Sequence, residues 1–372
     1  MNDVEALLAR LVAIDSTSSR PNAPMLDALE PVLQSLGFTT RRVGYVDDAG
    51  VPKANLLATL GHGTAELALV GHTDCVPFDP AWKEALTLTE RDGKLYGRGA
   101  CDTKAFIACA VTAAARVKGQ LQKPVLLAFT ADEEVGCVGA KHLVKTRALD
   151  AKRAIVGEPT SLTPVRANKG YCLADLEVHG KEGHSAYPHT GASAVFRAAR
   201  LLTRLETYSL GPLREQQDPA FEPPFTTLNV GLLQGGKAKN VIPGNVRATL
   251  EWRPIPAQGV EKVLHDALAL RDACAAEEPG FRAEVRPLRM DRGFDTSPQA
   301  DVVRFLEGQS GKVPITVAFG TEGPQLAELG AVPVVFGPGD IKNAHQTGEF
   351  VPTAELHRCV EVLEAALRHF CG

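Results

Sequence analysis

The 372-residue sequence has no marked excess of charge of either sign and no long apolar run. Its 40 Lys and Arg residues against 44 Asp and Glu residues give a net charge of −4. Nucleic-acid and anionic-membrane partners are bound through concentrated positive charge, so we expect neither kind of partner. The longest near-apolar run, 105–115, is too short to cross a bilayer and is flanked by Lys104 and Arg116.

A recognisable targeting signal is also missing from the sequence. Residues 1–5 are acidic and lack a basic stretch followed by an apolar core. We therefore expect no signal peptide and a cytosolic location.

The eight cysteines show no CxxC spacing and are scattered through apolar context. Without paired spacing they predict neither a disulfide framework nor a structural zinc site. We expect reduced thiols that are mostly buried as small hydrophobic side chains.

The composition is that of an ordinary globular enzyme, with 44% hydrophobic and 23% charged residues. A chain of 372 residues exceeds what one hydrophobic core usually supports, so two domains are expected.

The segment Gly71-His72-Thr73-Asp74 directly follows the apolar run 67–70. The pattern predicts a buried parallel strand whose end presents an imidazole and a carboxylate together. Imidazole is the commonest ligand for zinc-like ions, and a carboxylate often fixes its tautomer. On its own the pattern is weak, because a histidine at a strand end is more often a hydrogen-bonded surface residue.

Four further apolar segments are followed by a side chain that can bind a metal. These side chains are Asp102, Glu134, Glu158 and His345. In open α/β sheets, binding sites form outside the carboxyl ends of the strands, so these side chains could converge with His72. Unrelated surface acids are the alternative for any one of them, but five repetitions favour a shared site.

The chain resembles the di-zinc amidohydrolases, a family that includes acetylornithine deacetylase, succinyl-diaminopimelate desuccinylase, aminoacylase and carboxypeptidase G. The resemblance lies in seven stretches that follow the family's order and cover almost the whole chain: GHTDCVP (71–77), GRGACDTKA (97–105), TADEEVG (130–136), VGEPT (156–160), GKEGHSAYP (180–188), GGKAKNVIPG (235–244) and NAHQTGEF (343–350).

The resemblance implies two divalent metal ions, Zn²⁺ or else Co²⁺, bridged by Asp102. His72 and Glu158 would complete one ion's ligands, and Glu134 and His345 the other's. Asp102 precedes a predicted helix over 103–117, whose N-terminal dipole favours an anion there. The family geometry also implies a cis peptide bond between Asp102 and Thr103. Thiolate ligation by the neighbouring Cys75 or Cys101 is an alternative, which the supply of carboxylates disfavours.

Three catalytic roles follow from the same resemblance. Asp74 would orient His72, Glu133 would transfer protons, and His184 would reach across a dimer to stabilise the oxyanion. The residues alone indicate only that Glu133 and Glu134 point differently; which of them binds metal comes from the resemblance. A surface-loop histidine is the alternative for His184.

The resemblance also places four residues at the substrate, namely Asn240, Arg253, Thr321 and Glu322. An arginine suits an α-carboxylate, which it can grip through two hydrogen bonds. A solvated arginine at a strand end is the alternative for Arg253.

The loop 320–324, which contains Glu322, resembles that of the acetylornithine deacetylase branch. An acid at this position favours a substrate with a cationic amine. The resemblance thus implies hydrolysis of an Nα-acyl amino acid, with N-acetylornithine giving ornithine and acetate in arginine biosynthesis. Acetylcitrulline, succinyl-diaminopimelate and peptide substrates are alternatives, as is a non-catalytic binding protein that keeps the fold. The tail 345–349 departs from the branch, which often has an acid before its glutamate.

The predicted fold is α/β, with a doubly wound mixed sheet in a discontinuous metal-binding catalytic domain, 1–167 and 291–372. From Cys172 to His179 the polarity alternates with period two, which indicates a change to an antiparallel strand. We expect an inserted α+β domain over 168–290, a β-α-β-β-α-β sandwich. By resemblance this insert is a lid and forms a homodimer.

Overall fold

The computed structural model describes residues 3–372, which form two compact units. The first contains the chain up to Arg166 together with Thr296–Ile315 and Thr321–Gly372. The second contains Ala167–Asp295 and Thr316–Gly320. None of the helices within residues 3–372 combines the length and apolarity that a membrane crossing needs.

Helices are found in both units. They are α1 (Val4–Val12), α2 (Ala23–Ser35), α3 (Lys104–Val117), α4 (Val138–Thr146), α5 (Ala194–Leu210), α6 (Lys262–Glu277), α7 (Asp301–Ser310), α8 (Gly323–Glu328) and α9 (Thr353–Cys371).

The strands range from two to ten residues in length. They are β1 (Thr39–Val46), β2 (Pro52–Leu60), β3 (Leu67–His72), β4 (Thr89–Arg91), β5 (Lys94–Tyr96), β6 (Val125–Thr130), β7 (Arg153–Val156), β8 (Val165–Asn168), β9 (Tyr171–His179), β10 (Gly183–His184), β11 (Thr227–Gly235), β12 (Val241–Ile242), β13 (Asn245–Arg253), β14 (Arg282–Asp291), β15 (Phe294–Asp295), β16 (Ile315–Val317), β17 (Val332–Val335) and β18 (Phe350–Pro352).

The first unit is built on a mixed sheet in which the strands run in the order β1-β2-β6-β3-β7-β17. The central strand β3 is parallel to β6 and β7, and β7 is parallel to β17. The β1–β2 and β2–β6 pairs are antiparallel. This arrangement confirms the predicted α/β fold with a mixed sheet.

The core of the first unit depends on the close approach of α3 to the sheet. This helix is rich in alanine and is buried over almost its whole length. Small side chains at the interface explain why it can pack so close. At Gly157 a Cβ atom would lie 2.1 Å from the Phe106 ring, so only glycine fits. The buried C-terminal helix α9 packs against α3 and closes the same core.

The second unit contains an antiparallel sheet in the order β11-β13-β9-β14, with α5 and α6 packed on it. Strand β9 alternates between buried and more exposed residues, as the period-two pattern predicted. The sequence of main elements is β9-α5-β11-β13-α6-β14, a β-α-β-β-α-β order. A separate two-stranded sheet, β10 with β12, carries the His184 segment.

The compact units differ from the predicted domain limits at residue 167, at 291–295 and at 316–320, all of which were assigned to the catalytic domain. These residues belong to the second unit. The amide of Lys169 donates to the carbonyl of Val317 (3.1 Å), and Arg253 Nη1 donates to the carbonyl of Ala318 (3.2 Å). Such contacts between distant segments leave no local pattern in the sequence.

Candidate metal centre and active site

The candidate site lies at the carboxyl ends of the parallel strands in the first unit. Strand β3 ends at His72, and Glu133 and Glu134 follow the end of β6. Glu158 comes two residues after β7. Asp102 stands directly before the segment that begins α3. Buried apolar strands thus deliver His72, Glu133, Glu134 and Glu158 to one edge of the sheet, as the sequence predicted, whereas Asp102 follows no strand of this sheet and is placed by the start of α3.

Asp102 lies between two histidines. Its Oδ1 is 2.9 Å from His72 Nε2, and its Oδ2 is 3.1 Å from His345 Nε2. His345 Nε2 is also 3.0 Å from an oxygen of Glu134. Each oxygen of one carboxylate therefore faces a different imidazole, which is the arrangement a bridging ligand needs.

Two groups of side chains could each hold a metal ion. Within each group the potential ligand atoms lie within 4.8 Å of one another, and His72 belongs to both groups. One group adds Asp102 and Glu134 to His72, and the other adds Glu133 and Glu158. The grouping of Glu133 with His72 and Glu158 differs from the expected set, in which Asp102 was the third member.

The peptide bond between Asp102 and Thr103 is cis, which confirms the expectation from the sequence. The Thr103 hydroxyl donates to the carbonyl oxygen of His72 at 3.2 Å. The end of β3 and the start of α3 are thereby tied together beside Asp102.

Asp74 supports the site in a different way from the one predicted. His72 Nδ1 lies 3.0 Å from the backbone oxygen of Asp74 and 3.6 Å from its carboxylate. An Nδ1–H that donates to this backbone oxygen orients the ring so that Nε2 faces Asp102. The Asp74 carboxylate instead accepts hydrogen bonds from the backbone amides of Glu133 (3.1 Å) and Glu134 (3.3 Å). It also accepts one from the Ser18 hydroxyl at 2.8 Å.

The crowding of carboxylates shifts their pKa values. Burial raises the pKa of Glu133 to about 8, and the negative charges of Glu134 and Glu322 act in the same direction. The nearby His72 has the opposite effect and lowers this pKa. Burial and the neighbouring Asp102 and Glu133 raise the pKa of Glu158 well above its usual value. Ionising these carboxyl groups together costs free energy because it places several negative charges close to one another.

The same carboxylates raise the pKa values of His72 and His345. Contacts with Asp102 and Glu134 raise the pKa of His345 to about 10. For His72, burial lowers the pKa, but the carboxylates of Asp102 and Asp74 outweigh it and raise the pKa well above its usual value. The site therefore attracts positive charge into the space between its carboxylates.

The donor set fits divalent metal ions. Imidazole nitrogens and carboxylate oxygens are ligands of Zn²⁺ and of neighbouring transition ions. Buried carboxylates with raised pKa values are the groups that a divalent cation would stabilise in ionised form. The cysteines are all free and buried, as predicted. Among residues 3–372, neither group of potential ligands includes a thiol.

Thr321 and Glu322 belong to the first unit, and both are almost completely buried. Glu322 Oε2 accepts a hydrogen bond from the Thr130 hydroxyl at 2.9 Å. Its other oxygen, Oε1, has no hydrogen-bond partner in the part of the chain that the structure describes. The Thr321 hydroxyl accepts from the amide of Gly323 at 3.1 Å. Burial raises the pKa of Glu322 to about 7, although His72 and the Thr130 hydrogen bond lower it.

The remaining predicted residues, His184, Asn240 and Arg253, belong to the second unit. His184 Nδ1 accepts a hydrogen bond from the Ala186 amide at 3.1 Å, so the neutral ring carries its proton on Nε2. The Asn240 side chain is exposed, and its backbone oxygen accepts from the Ser185 amide at 3.1 Å. Pairing of β10 with β12 places the His184 and Asn240 segments side by side.

Arg253 has partners within the second unit. Its Nε donates to Glu251 at 2.8 Å, and its guanidinium lies 4.4 Å from the centre of the Tyr171 ring. These contacts fix the side chain at the end of β13.

Four charged residues beside the candidate ligands had no predicted role. They form two buried ion pairs, Lys53 with Asp132 and Arg98 with Glu349. Arg98, Asp132 and Glu349 lie in stretches that carry the family resemblance, which was the only available signal. The two members of each pair are 79 and 251 residues apart in the sequence, so the pairing could not be read from local pattern.

The sequence matches the model of peptidase family M20/M25/M40 over residues 68–369. The chain is 58% identical over 372 residues to an acetylornithine deacetylase of Myxococcus xanthus, covering 99% of this chain and 98% of that protein. It is 35% identical over 366 residues to an acetylornithine deacetylase of Proteus mirabilis strain HI4320, covering 96% and 93%. The chain therefore belongs to the M20/M25/M40 peptidase family, and the predicted family is confirmed.

Solved structures of peptidases share the fold. A tripeptidase from Staphylococcus aureus superimposes with a TM-score of 0.81 at 24% identity, covering 98% of both chains. An aminopeptidase from Bacillus cereus gives a TM-score of 0.79 at 23% identity, covering 99% of this chain and 98% of that one. At these identities the likeness supports the architecture and not the substrate.

Proposed function

We propose that this protein is a metal-dependent amide hydrolase that converts N-acetyl-L-ornithine into L-ornithine and acetate, a step of arginine biosynthesis. The placement of Asp102 between His72 and His345 carries the hydrolase proposal, because one carboxylate oxygen faces each imidazole. The 58% identity to an acetylornithine deacetylase over nearly the whole chain supports the choice of substrate.

The proposed metal ligands are the five side chains predicted from the sequence. Asp102 would bridge two divalent ions, with His72 and Glu158 on one and Glu134 and His345 on the other. When bound, such ions supply Lewis acidity for the scissile carbonyl and lower the pKa of a coordinated water. Zn²⁺ suits these ligands, and Co²⁺ is the alternative.

Glu133 is the proposed proton shuttle. Burial raises the pKa of Glu133 to about 8 in the metal-free protein, and bound divalent cations would lower this pKa towards neutrality, where a general base is most effective. The proton taken from the attacking water would then pass to the amine nitrogen of the leaving amino acid. Hydrogen bonds from the amides of Glu133 and Glu134 to Asp74 hold this segment in place.

The second unit is proposed to complete the active site as a lid. His184 would stabilise the oxyanion through its Nε2–H, while Asn240 and Arg253 would bind substrate oxygens. We further propose a cytoplasmic homodimer formed through this unit, with His184 acting in the partner's site. An active monomer in analytical ultracentrifugation at assay concentration would contradict this part.

A substrate panel tests the activity. Purified protein loaded with Zn²⁺ or Co²⁺ would be assayed with Nα-acetyl derivatives of ornithine, citrulline and other amino acids, with succinyl-diaminopimelate and with dipeptides. We expect the highest kcat/KM for acetylornithine, and the Glu133→Gln variant serves as the inactive control. Preferential hydrolysis of dipeptides would refute the deacetylase proposal while leaving the family assignment intact.

A further inference from the structure

The buried ion pair between Arg98 and Glu349 lies directly beside the Asp102 segment. Arg98 Nη1 is 2.6 Å from Glu349 Oε2, and the two residues are only 2% and 1% exposed. Strand β5 ends at Tyr96, which pairs with Phe350 of β18, and this pairing brings the two chain segments that carry Arg98 and Glu349 together. The amide of Gly97 also donates to the backbone oxygen of Glu349 at 3.0 Å.

The second oxygen of Glu349 holds the backbone that leads into Asp102. Glu349 Oε1 accepts hydrogen bonds from the amide of Cys101 at 2.9 Å and from the amide of Asp102 at 3.0 Å. One carboxylate thus uses one oxygen for a guanidinium and the other for two consecutive backbone N–H groups. Hydrogen bonds to an ionised acceptor are stronger than neutral ones and fix geometry more tightly.

Stability alone is a weak explanation for this pair. Removing two charges from water costs desolvation free energy, and the attraction between the charges often does not offset this cost. Within residues 3–372, the arrangement also leaves Arg98 Nε buried without a hydrogen-bond partner. The remaining Arg98 contacts are modest: Nη2 donates to the carbonyl of Pro77 at 3.4 Å, and the Trp82 ring lies 5.5 Å away.

We infer that Glu349, held by Arg98, is a positioning residue for the proposed bridging ligand. By fixing the amides of Cys101 and Asp102, the Glu349 carboxylate sets the direction in which the Asp102 side chain leaves the backbone. That direction brings the two Asp102 oxygens to His72 and His345. This inference rests on the proposed function, because it takes Asp102 as a ligand shared by two ions.

Metal affinity is the measurement that tests this role. In purified metal-free protein, Zn²⁺ would be titrated against a chromophoric chelator for the wild type and for Glu349→Ala. We expect the affinity for the weaker-bound ion to fall about 10- to 100-fold, the range found when groups that orient ligands are removed. Glu349→Gln keeps one oxygen that can accept from the two amides, so its loss should be smaller.

The ion pair between Glu364 and Arg116 offers a matched control. Arg116 on α3 and Glu364 on α9 lie 2.9 Å apart, so this pair joins the two helices that follow Arg98 and Glu349 in the chain, and it is more exposed, at 32% and 13%. It touches neither Cys101 nor Asp102. The Glu364→Ala variant should bind both ions with wild-type affinity, and thermal denaturation of every metal-free variant would show the accompanying stability change.

Wild-type affinity for both ions in Glu349→Ala would overturn the inference. Equal losses in Glu349→Ala and Glu364→Ala would also overturn it, because they would indicate general destabilisation. Should Glu349→Ala fail to fold, unchanged affinity in Glu349→Asp, whose shorter side chain withdraws the carboxylate from the two amides, would have the same meaning. A wild-type protein that binds two ions but hydrolyses no acyl amino acid would refute the proposed activity alone.

Discussion

Lys53 and Asp132 form an ion pair in which Nζ lies 2.7 Å from Oδ1 and both side chains are almost fully buried, at 1% and 2% exposure. Tyr45 donates its hydroxyl to the other Asp132 oxygen at 2.8 Å. Lys53 also donates to the backbone oxygen of Ser18. Asp132 directly precedes Glu133, so the pair fixes the backbone from which the proposed proton shuttle extends.

Removal of one partner from this pair should destabilise the protein strongly. Lys53→Met leaves the Asp132 charge buried without its cation, and such changes cost about 3–5 kcal/mol in the free energy of unfolding. Urea denaturation would measure the loss. Arg20→Ala, which breaks the exposed pair with Asp15, is the control and should change stability by about 1 kcal/mol or less. A Lys53→Met protein as stable as the control would contradict the argument.

The sequence predicted the parts of the site that follow from strand pattern. Apolar runs before His72, Glu134 and Glu158 predicted buried strands, and the carboxyl ends of parallel strands meet at one edge of a sheet. The structure brings these side chains together as expected. The alternation in β9 likewise predicted the change to an antiparallel sheet in the second unit.

Contacts that span the chain could not be predicted in the same way. Glu349 binds the backbone of Cys101 and Asp102 from nearly 250 residues away, and no periodicity encodes that pairing. The role of Asp74 was also incompletely predicted, because a short sequence gap does not determine whether the carboxylate or the backbone oxygen meets His72. Such choices depend on packing, which sequence pattern does not report.

The roles of Glu133 and Glu134 can be separated by isosteric replacement. Glu133→Gln keeps the shape but removes the base, so turnover of acetylornithine should fall by at least about 10²-fold while both ions stay bound. Glu134→Gln should instead weaken one ion, because Glu134 lies within 3.2 Å of His345 Nε2. Metal analysis and steady-state kinetics on both variants would distinguish these outcomes. Near-normal turnover in Glu133→Gln would exclude it as the proton shuttle.

Metal removal should abolish activity and lower stability. A ligand that binds only the folded state stabilises it by about 2.7 kcal/mol at 100 times its dissociation constant. Dialysis against a chelator should therefore lower the thermal midpoint, and added Zn²⁺ or Co²⁺ should restore both the midpoint and the hydrolysis. His345→Ala is the comparison, since its midpoint should respond less to added metal. Full activity after verified metal removal would refute the metal-dependent mechanism.

Glu322 should make the stability of the metal-free protein depend on pH. Burial raises its pKa to about 7, despite the opposing effects of His72 and Thr130, so the folded state binds a proton that the unfolded state releases near its ordinary pKa. The resulting stabilisation is complete below the unfolded pKa and is lost as pH rises through about 7. Relative to Glu322→Gln, the wild type should therefore lose up to about 3 kcal/mol between pH 4.5 and pH 8. Urea denaturation of both chelator-treated proteins across this range measures the contribution of Glu322 together with its effect on the pKa of Glu133. A difference that stays constant with pH would show that Glu322 is ionised throughout, with a charge compensated inside the site.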